Sequence, residues 1–162
     1  MLIDPASFNN ITSAILGSAI EVHRTLGPGL LESIYRQCLE RELAAHHLRF
    51  VVHQSIAVVY KGTPLDARYY VDLIVEDLVV VEIKSVGALI PVYEAQTLTY
   101  MQLTACPVGL LINFNVPRLM DGVRRLLNPR AERRAGGPDP IQGQQKERTD
   151  SHRATKEPRE NL

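Results

Sequence analysis

Three charged side chains interrupt apolar, β-rich sequence in a pattern that can hold a cation. Asp72 stands within Ala-Arg-Tyr-Tyr-Val-Asp-Leu-Ile-Val (67–75), and Glu82 and Lys84 stand within Leu-Val-Val-Val-Glu-Ile-Lys (78–84). Strand alternation puts Val79, Val81 and Ile83 on one face, and Val80, Glu82 and Lys84 on the other. Asp72 opposes Glu82 when paired positions sum to 154, which pairs Val75 with Val79 and leaves a three-residue loop, Glu76-Asp77-Leu78. A two-residue loop would pair Asp72 with Val81 instead, and the odd-length loop is the expectation. Two carboxylates at one spot repel, and desolvation adds to the cost, so a divalent cation is their natural complement. Oxygen donors suit Mg²⁺ or Mn²⁺ rather than Zn²⁺, and such an ion can activate water and offset charge on a phosphate. Lys84 would orient the water or face the phosphoryl oxygens. A solvent-facing Glu/Lys pair on a half-exposed strand needs no function, and on these residues alone that bland reading outweighs the functional one.

Further constellations accompany the three. Glu32 and Tyr35 sit on adjacent turns in Gly29-Leu30-Leu31-Glu32-Ser33-Ile34-Tyr35, at the start of a helix. Gly29 as N-cap with Glu32 at N3 resembles half a capping box, a local explanation as good as a catalytic one. Gln96 and Tyr100 lie at i and i+4 on one helix face, where a tyrosine alone would usually be core packing. His23, near the end of the first helix, is a candidate additional ligand, although a histidine beside Gly27-Pro28-Gly29 is more often a helix C-cap. His46, His47 and His53 show no metal-ligand partner spacing.

These residues need elements to position them. Ile11, Ile15, Ala19 and Val22 recur at helical spacing between Ser7 and Leu26, and Gly27-Pro28-Gly29 stops that helix. A second helix runs from about Leu30 to His46-His47, with Leu31, Ile34, Cys38 and a flanking Leu39/Leu43 pair as its stripe. Phe50–Tyr60 reads as a strand ending at a Lys61-Gly62 turn, and with 67–75 and 78–84 it makes an antiparallel three-stranded meander. A helix follows Pro91 to about Leu103, and Val108–Phe114 is a fourth strand. Asn115 and Pro117 suit the cap and first turn of a last helix carrying Leu119, Val123, Leu126 and Leu127 on one side. The expected fold is α/β, in the order α-α-β-β-β-α-β-α, with a mixed four-stranded sheet flanked by helices and a right-handed crossover between the third and fourth strands.

The chain has 162 residues, with 18 basic and 18 acidic side chains. Residues 1–129 carry 10 Lys/Arg against 12 Asp/Glu, and 130–162 carry the remaining 8 against 6. That final stretch is too polar to offset the entropy of ordering it, so it is expected to be a charged, disordered tail after a domain spanning 1–129. Arg130, Arg133 and Arg134 could add salt-sensitive phosphate attraction. The slight acidity of the domain argues against a generally basic nucleic-acid binder and leaves a local patch open. Cys38 and Cys106 lack zinc or disulfide spacing, which fits a reducing cytoplasm. Neither a leader peptide nor a membrane span is expected, since Asp4, Asn9, Asn10 and Thr12 break the N-terminal apolar run and no stretch approaches about 18 apolar residues.

Taken together, Glu21-Val22-His23, Gly27 through Tyr35, Asp72, Glu82-Ile83-Lys84, Glu94-Ala95-Gln96 with Tyr100, and Asn113-Phe114-Asn115 resemble the GxxExxY proteins. These are a compact family of the PD-(D/E)XK nuclease superfamily, and the resemblance covers about residues 8–129. It implies a restriction-endonuclease-like core and a metal-dependent phosphodiesterase acting on DNA or RNA. Asp72 and Glu82 would hold Mg²⁺ or Mn²⁺, the Ile83 carbonyl would join them, Lys84 would act on water, and Glu32 would support the metal from its helix. Gln96 and Tyr100 look like the Gln-xxx-Tyr element of RecB-like exonucleases, which positions nucleic acid or the active site; Tyr35 is placed in the same class. Val71 stands where the superfamily's name has proline, a position where proline is often absent. Nuclease folds also serve as noncatalytic modules, so binding of nucleic acid or a protein partner without turnover is the alternative, and a homodimer is compatible with either.

Overall fold

The computed structural model describes residues 5–131. The expected tail beyond 131, with Arg133 and Arg134, lies outside the described residues. Helix α1 (Pro5–Leu26) buries Ile15, Ala19 and Val22, as its periodicity requires. It stops where the Gly27 N–H bonds the His23 carbonyl at 2.8 Å and Gly27 takes φ +67°, open to a residue without Cβ.

Helix α2 (Glu32–Ala45) departs from expectation in two ways. Its core face is Tyr35, Leu39 and Leu43, whereas Leu31 and Ile34 are exposed. The i, i+4 set that begins with an aromatic turns toward the sheet, and Cys38 only flanks it. Leu31, not Gly29, is the N-cap, and Glu32 is the first helical residue. No side-chain cap forms, and the Glu32 carboxylate is free to leave its own helix.

Strands β1 (Phe50–Tyr60), β2 (Thr63–Val75) and β3 (Val79–Lys84) form the expected meander. Val75 pairs with Val79, Ile74 with Val80 and Leu73 with Val81, the register of the odd-length loop. Glu76 and Asp77 take left-handed φ in that loop. Glu76 is held there by Arg49, whose N–H donates to its Oε1 at 2.6 Å and whose guanidinium donates to its Oε2. Those bonds, led by the backbone one, hold the Glu76 carboxyl below the usual range.

Helix α3 (Pro91–Thr104) carries the chain from β3 to β4 (Val108–Asn113), which pairs parallel to β3. The expected last helix is not formed. A short 3₁₀ turn, Leu119–Gly122, leads into a fifth strand, β5 (Val123–Leu127), antiparallel to β4. β4 is buried along its whole length, so the polar backbone groups on its outer edge need partners, and a neighbouring strand supplies them where a five-residue helical turn could not. Gly122 is required there, because a Cβ would lie 2.3 Å from the Asn113 carbonyl oxygen.

The sheet, in order β1-β2-β3-β4-β5, separates two cores. Helices α1 and α2 pack on one face with Leu73, Val75, Val81 and Ile83. Tyr100 and Met101 of α3 cover the other with Val71, Ile74 and Val80. Val52 and Leu73 belong to the first core, whereas Ile56 and Val71 belong to the second. Both strands therefore exchange faces around His53 and Asp72, and His53 takes φ +49° at that point.

Candidate active site

The β2–β3 ladder ends at Leu73–Val81, one position short of Asp72 and Glu82. Beyond it the two carboxylates replace the missing backbone partners. The Asp72 N–H donates to Glu82 Oε1 at 3.2 Å, and the Ile83 N–H donates to Asp72 Oδ2 at 3.0 Å. The exchange of faces at Asp72 opens this gap, and the side chains fill it reciprocally. The expected opposition of 72 and 82 is thus realised by side chain to backbone bonds rather than by a ladder pair.

Glu82 is only 4% exposed. Burial and then the Asp72 charge push its carboxyl up to about 8, against the opposing pull of the Asp72 N–H and Lys84. Lys84 lies on the α3 side, its Nζ 4.9 Å from the centre of the Tyr93 ring. Tyr100 is buried on that side, where Gln96 Nε2 donates to its hydroxyl at 2.7 Å. Burial, then the Glu82 charge, raises the Tyr100 hydroxyl. The Gln96/Tyr100 pair therefore forms as spaced and stands near the carboxylates.

On the other side, α2 and the loop after β3 build a cleft of about 490 Å³, lined by Glu32, Ser33, Arg36, His53, Asp72 and Ser85 among others. Glu32 Oε1 accepts the Ser85 N–H at 3.2 Å, and its charge adds to the load on Glu82. Asn113 braces the same loop, accepting the Val86 N–H at 3.0 Å and donating to the Val86 carbonyl at 2.9 Å.

Two of the expected site residues are built into the framework. The Tyr35 ring is fully buried, stacked 4.4 Å from Phe114, and its hydroxyl joins the Gly27 carbonyl to the Leu30 N–H at 3.1 Å. It braces the turn that delivers Glu32. His23 neither caps its helix through its side chain nor lines the cleft; its Nε2 lies 2.8 Å from the Val116 carbonyl oxygen, with the ring against Phe114. The Ile83 side chain lies in the core, and its peptide N–H is the group bound by Asp72. Arg36 and Ser33 line the cleft without a role assigned from the sequence, and so does His53, which the sequence sets aside for lack of metal-ligand spacing. Arg36 and Ser33 follow Glu32 within about one helical turn, a signal available from spacing, whereas His53 reaches the cleft only because β1 lies beside β2.

The Asp72 and Glu82 carboxylates are all-oxygen donors whose mutual repulsion a hard divalent cation would relieve, so their chemistry fits such an ion. Among the described residues, however, no three His, Cys, Asp or Glu side chains converge as a ready chelating group. Glu32, held on Ser85, is the acidic side chain standing just outside the pair.

A family model of the PD-(D/E)XK nuclease superfamily matches residues 9–126, nearly all of the described fold, and the chain belongs to that superfamily. Its members are generally nucleases that use divalent metals such as Mg²⁺, which points to a nucleic-acid substrate. No curated protein and no solved structure gives a significant match. Among the described residues, no helix is long and apolar enough to cross a membrane.

Proposed function

We propose that the chain is a Mg²⁺- or Mn²⁺-dependent nuclease of the GxxExxY type that hydrolyses phosphodiester bonds of DNA or RNA. The observation that carries this reading is the Asp72/Glu82 pair, held by reciprocal backbone bonds at the end of a strand ladder with Lys84 beside it. Asp72, Glu82 and the Ile83 carbonyl would hold the ion, with Glu32 supporting it from α2. A divalent ion there would lower the pKa of water and offset charge developing on the phosphate. Lys84 would orient the attacking water, and the Gln96–Tyr100 pair would position the strand on the α3 side. The two free cysteines are in keeping with a reducing cytoplasm.

Calorimetry with Mg²⁺ and Mn²⁺, paired with cleavage assays on DNA and RNA, tests the proposal. The expected result is metal binding and metal-dependent cleavage by the wild type, both lost in Asp72→Ala, with cleavage also lost in Glu82→Ala and Lys84→Ala. A second reading, a nuclease-fold module that binds nucleic acid or a protein partner without turnover, draws on the lack of a ready three-residue chelating group among the described residues. Under that reading the folded wild type neither binds the ions nor cleaves, and the substitutions change affinity alone.

A further inference from the structure

β1 and β2 are longer than β3, with 11 and 13 residues against 6, so their far ends leave the sheet as a two-stranded arm closed at Lys61-Gly62. Every residue from Val59 to Tyr70 is exposed. A ribbon of this kind has no core of its own to justify large aromatic side chains, yet Tyr60, Tyr69 and Tyr70 stand on it. Tyr69 has a partner, meeting Tyr100 edge to face at 5.5 Å on the α3 side. Tyr70 points the other way and is 59% exposed.

Cross-strand pairing shows what shares the Tyr70 face. Tyr70 pairs with Ser55 and Arg68 with Ala57, and Arg68 Nη1 donates to Ser55 Oγ at 2.9 Å. Continuing that alternation inward reaches Asp72 and His53, both of which line the cleft. One side of the arm thus leads from Arg68 through Tyr70 into the candidate active site. Along the strand, Tyr70 lies about 7 Å and Arg68 about 13 Å from Asp72.

We infer that this face of the arm is the track for a single-stranded nucleic acid, with Tyr70 stacking on an unpaired base and Arg68 contacting a backbone phosphate as the strand enters the cleft. The inference deepens the nuclease reading and rests on it for the identity of the ligand. An exposed ring beside an anchored guanidinium meets both demands of a single strand, a π-face for a base and a cation for the phosphate. A duplex offers its phosphates but keeps its base faces stacked on one another, so Tyr70 selects for unpaired substrate.

Fluorescence anisotropy with the full chain tests this without chemistry, using labelled mixed-sequence single strands of DNA and of RNA and a duplex of the same length, in a chelator. Tyr70→Ala should weaken single-strand binding about tenfold while Tyr70→Phe retains it. Arg68→Ala should flatten the dependence of log affinity on log salt by about 0.7. Circular dichroism of each variant confirms that the fold is kept, and comparison of the DNA and RNA arms assigns the strand chemistry. Wild-type protein that binds no single strand, equal or tighter binding of the duplex, or wild-type affinity in Tyr70→Ala would each overturn the inference. So would a Tyr70→Ala variant that changes only the oligomeric mass, since the face would then cover a second copy of the chain. Tyr70-dependent binding without metal-dependent cleavage would instead remove the nuclease reading and leave the track standing.

Discussion

Glu82 shows most plainly how one side chain carries the electrostatic cost of the candidate site. A carboxyl pushed to about 8 by burial and by Asp72 holds a proton in the folded chain that the unfolded chain releases near 4.5. Between those values the folded state binds more protons than the unfolded state. In the absence of divalent ions, stability should therefore fall as pH rises from about 4.5 to about 8, by on the order of 1 kcal/mol per pH unit at most. Urea titrations across that range should give a sloping stability for the wild type and a flatter one for Glu82→Gln. A wild-type profile without slope would show that the pair is relieved some other way. Tyr35 makes the complementary point, since its whole polar function is spent inside the fold, on Gly27 and Leu30, and the position of Glu32 depends on it.

At the scale of elements, the site is made by endings rather than by interiors. β3 stops pairing with β2 one residue before the carboxylates, α2 begins at Glu32, and the loop after β3 is held by Asn113. Helix α3 ends on Ala105 at φ +59°, a left-handed conformation that a Cβ penalises. Ala105→Gly should consequently stabilise the chain by about 1 kcal/mol, read as a raised denaturation midpoint with unchanged m-value. A lowered midpoint would mean that the backbone entropy gained by the unfolded chain outweighs the relief of strain.

For the whole molecule, two cores on opposite faces of one sheet hold two sets of candidate site residues at their border. Glu32 arrives with the α1/α2 layer, and Gln96 and Tyr100 arrive with α3; Asp72, Glu82 and Lys84 come from the sheet between them. A cation bound at the pair would act on the stability of the entire unit, because it binds the folded chain and not the unfolded one. Mg²⁺ or Mn²⁺ at a hundredfold excess over its dissociation constant should add about 2.7 kcal/mol to wild-type unfolding and nothing in Asp72→Ala. Equal stabilisation of both proteins would place the ion elsewhere.

Much of this architecture was legible in the sequence, for local reasons. Helical spacing marked the buried face of α1, Gly27-Pro28-Gly29 marked its end, and alternation together with loop length set the β2–β3 register that brings Asp72 toward Glu82. The same local patterns misled where partners were distant. Leu119 to Leu127 has helical spacing, but an open edge of β4 drew its second half into a strand. The stripe of α2 turned so that Tyr35 faced the core, His23 was taken up by Val116, and His53 came to line the cleft with Asp72 once β1 lay beside β2. Composition and periodicity determine which residues seek burial and which chemistry is on hand. Where a ladder stops, and so which backbone donors are left for a carboxylate to satisfy, depends on every strand at once and was decided only by the tertiary structure.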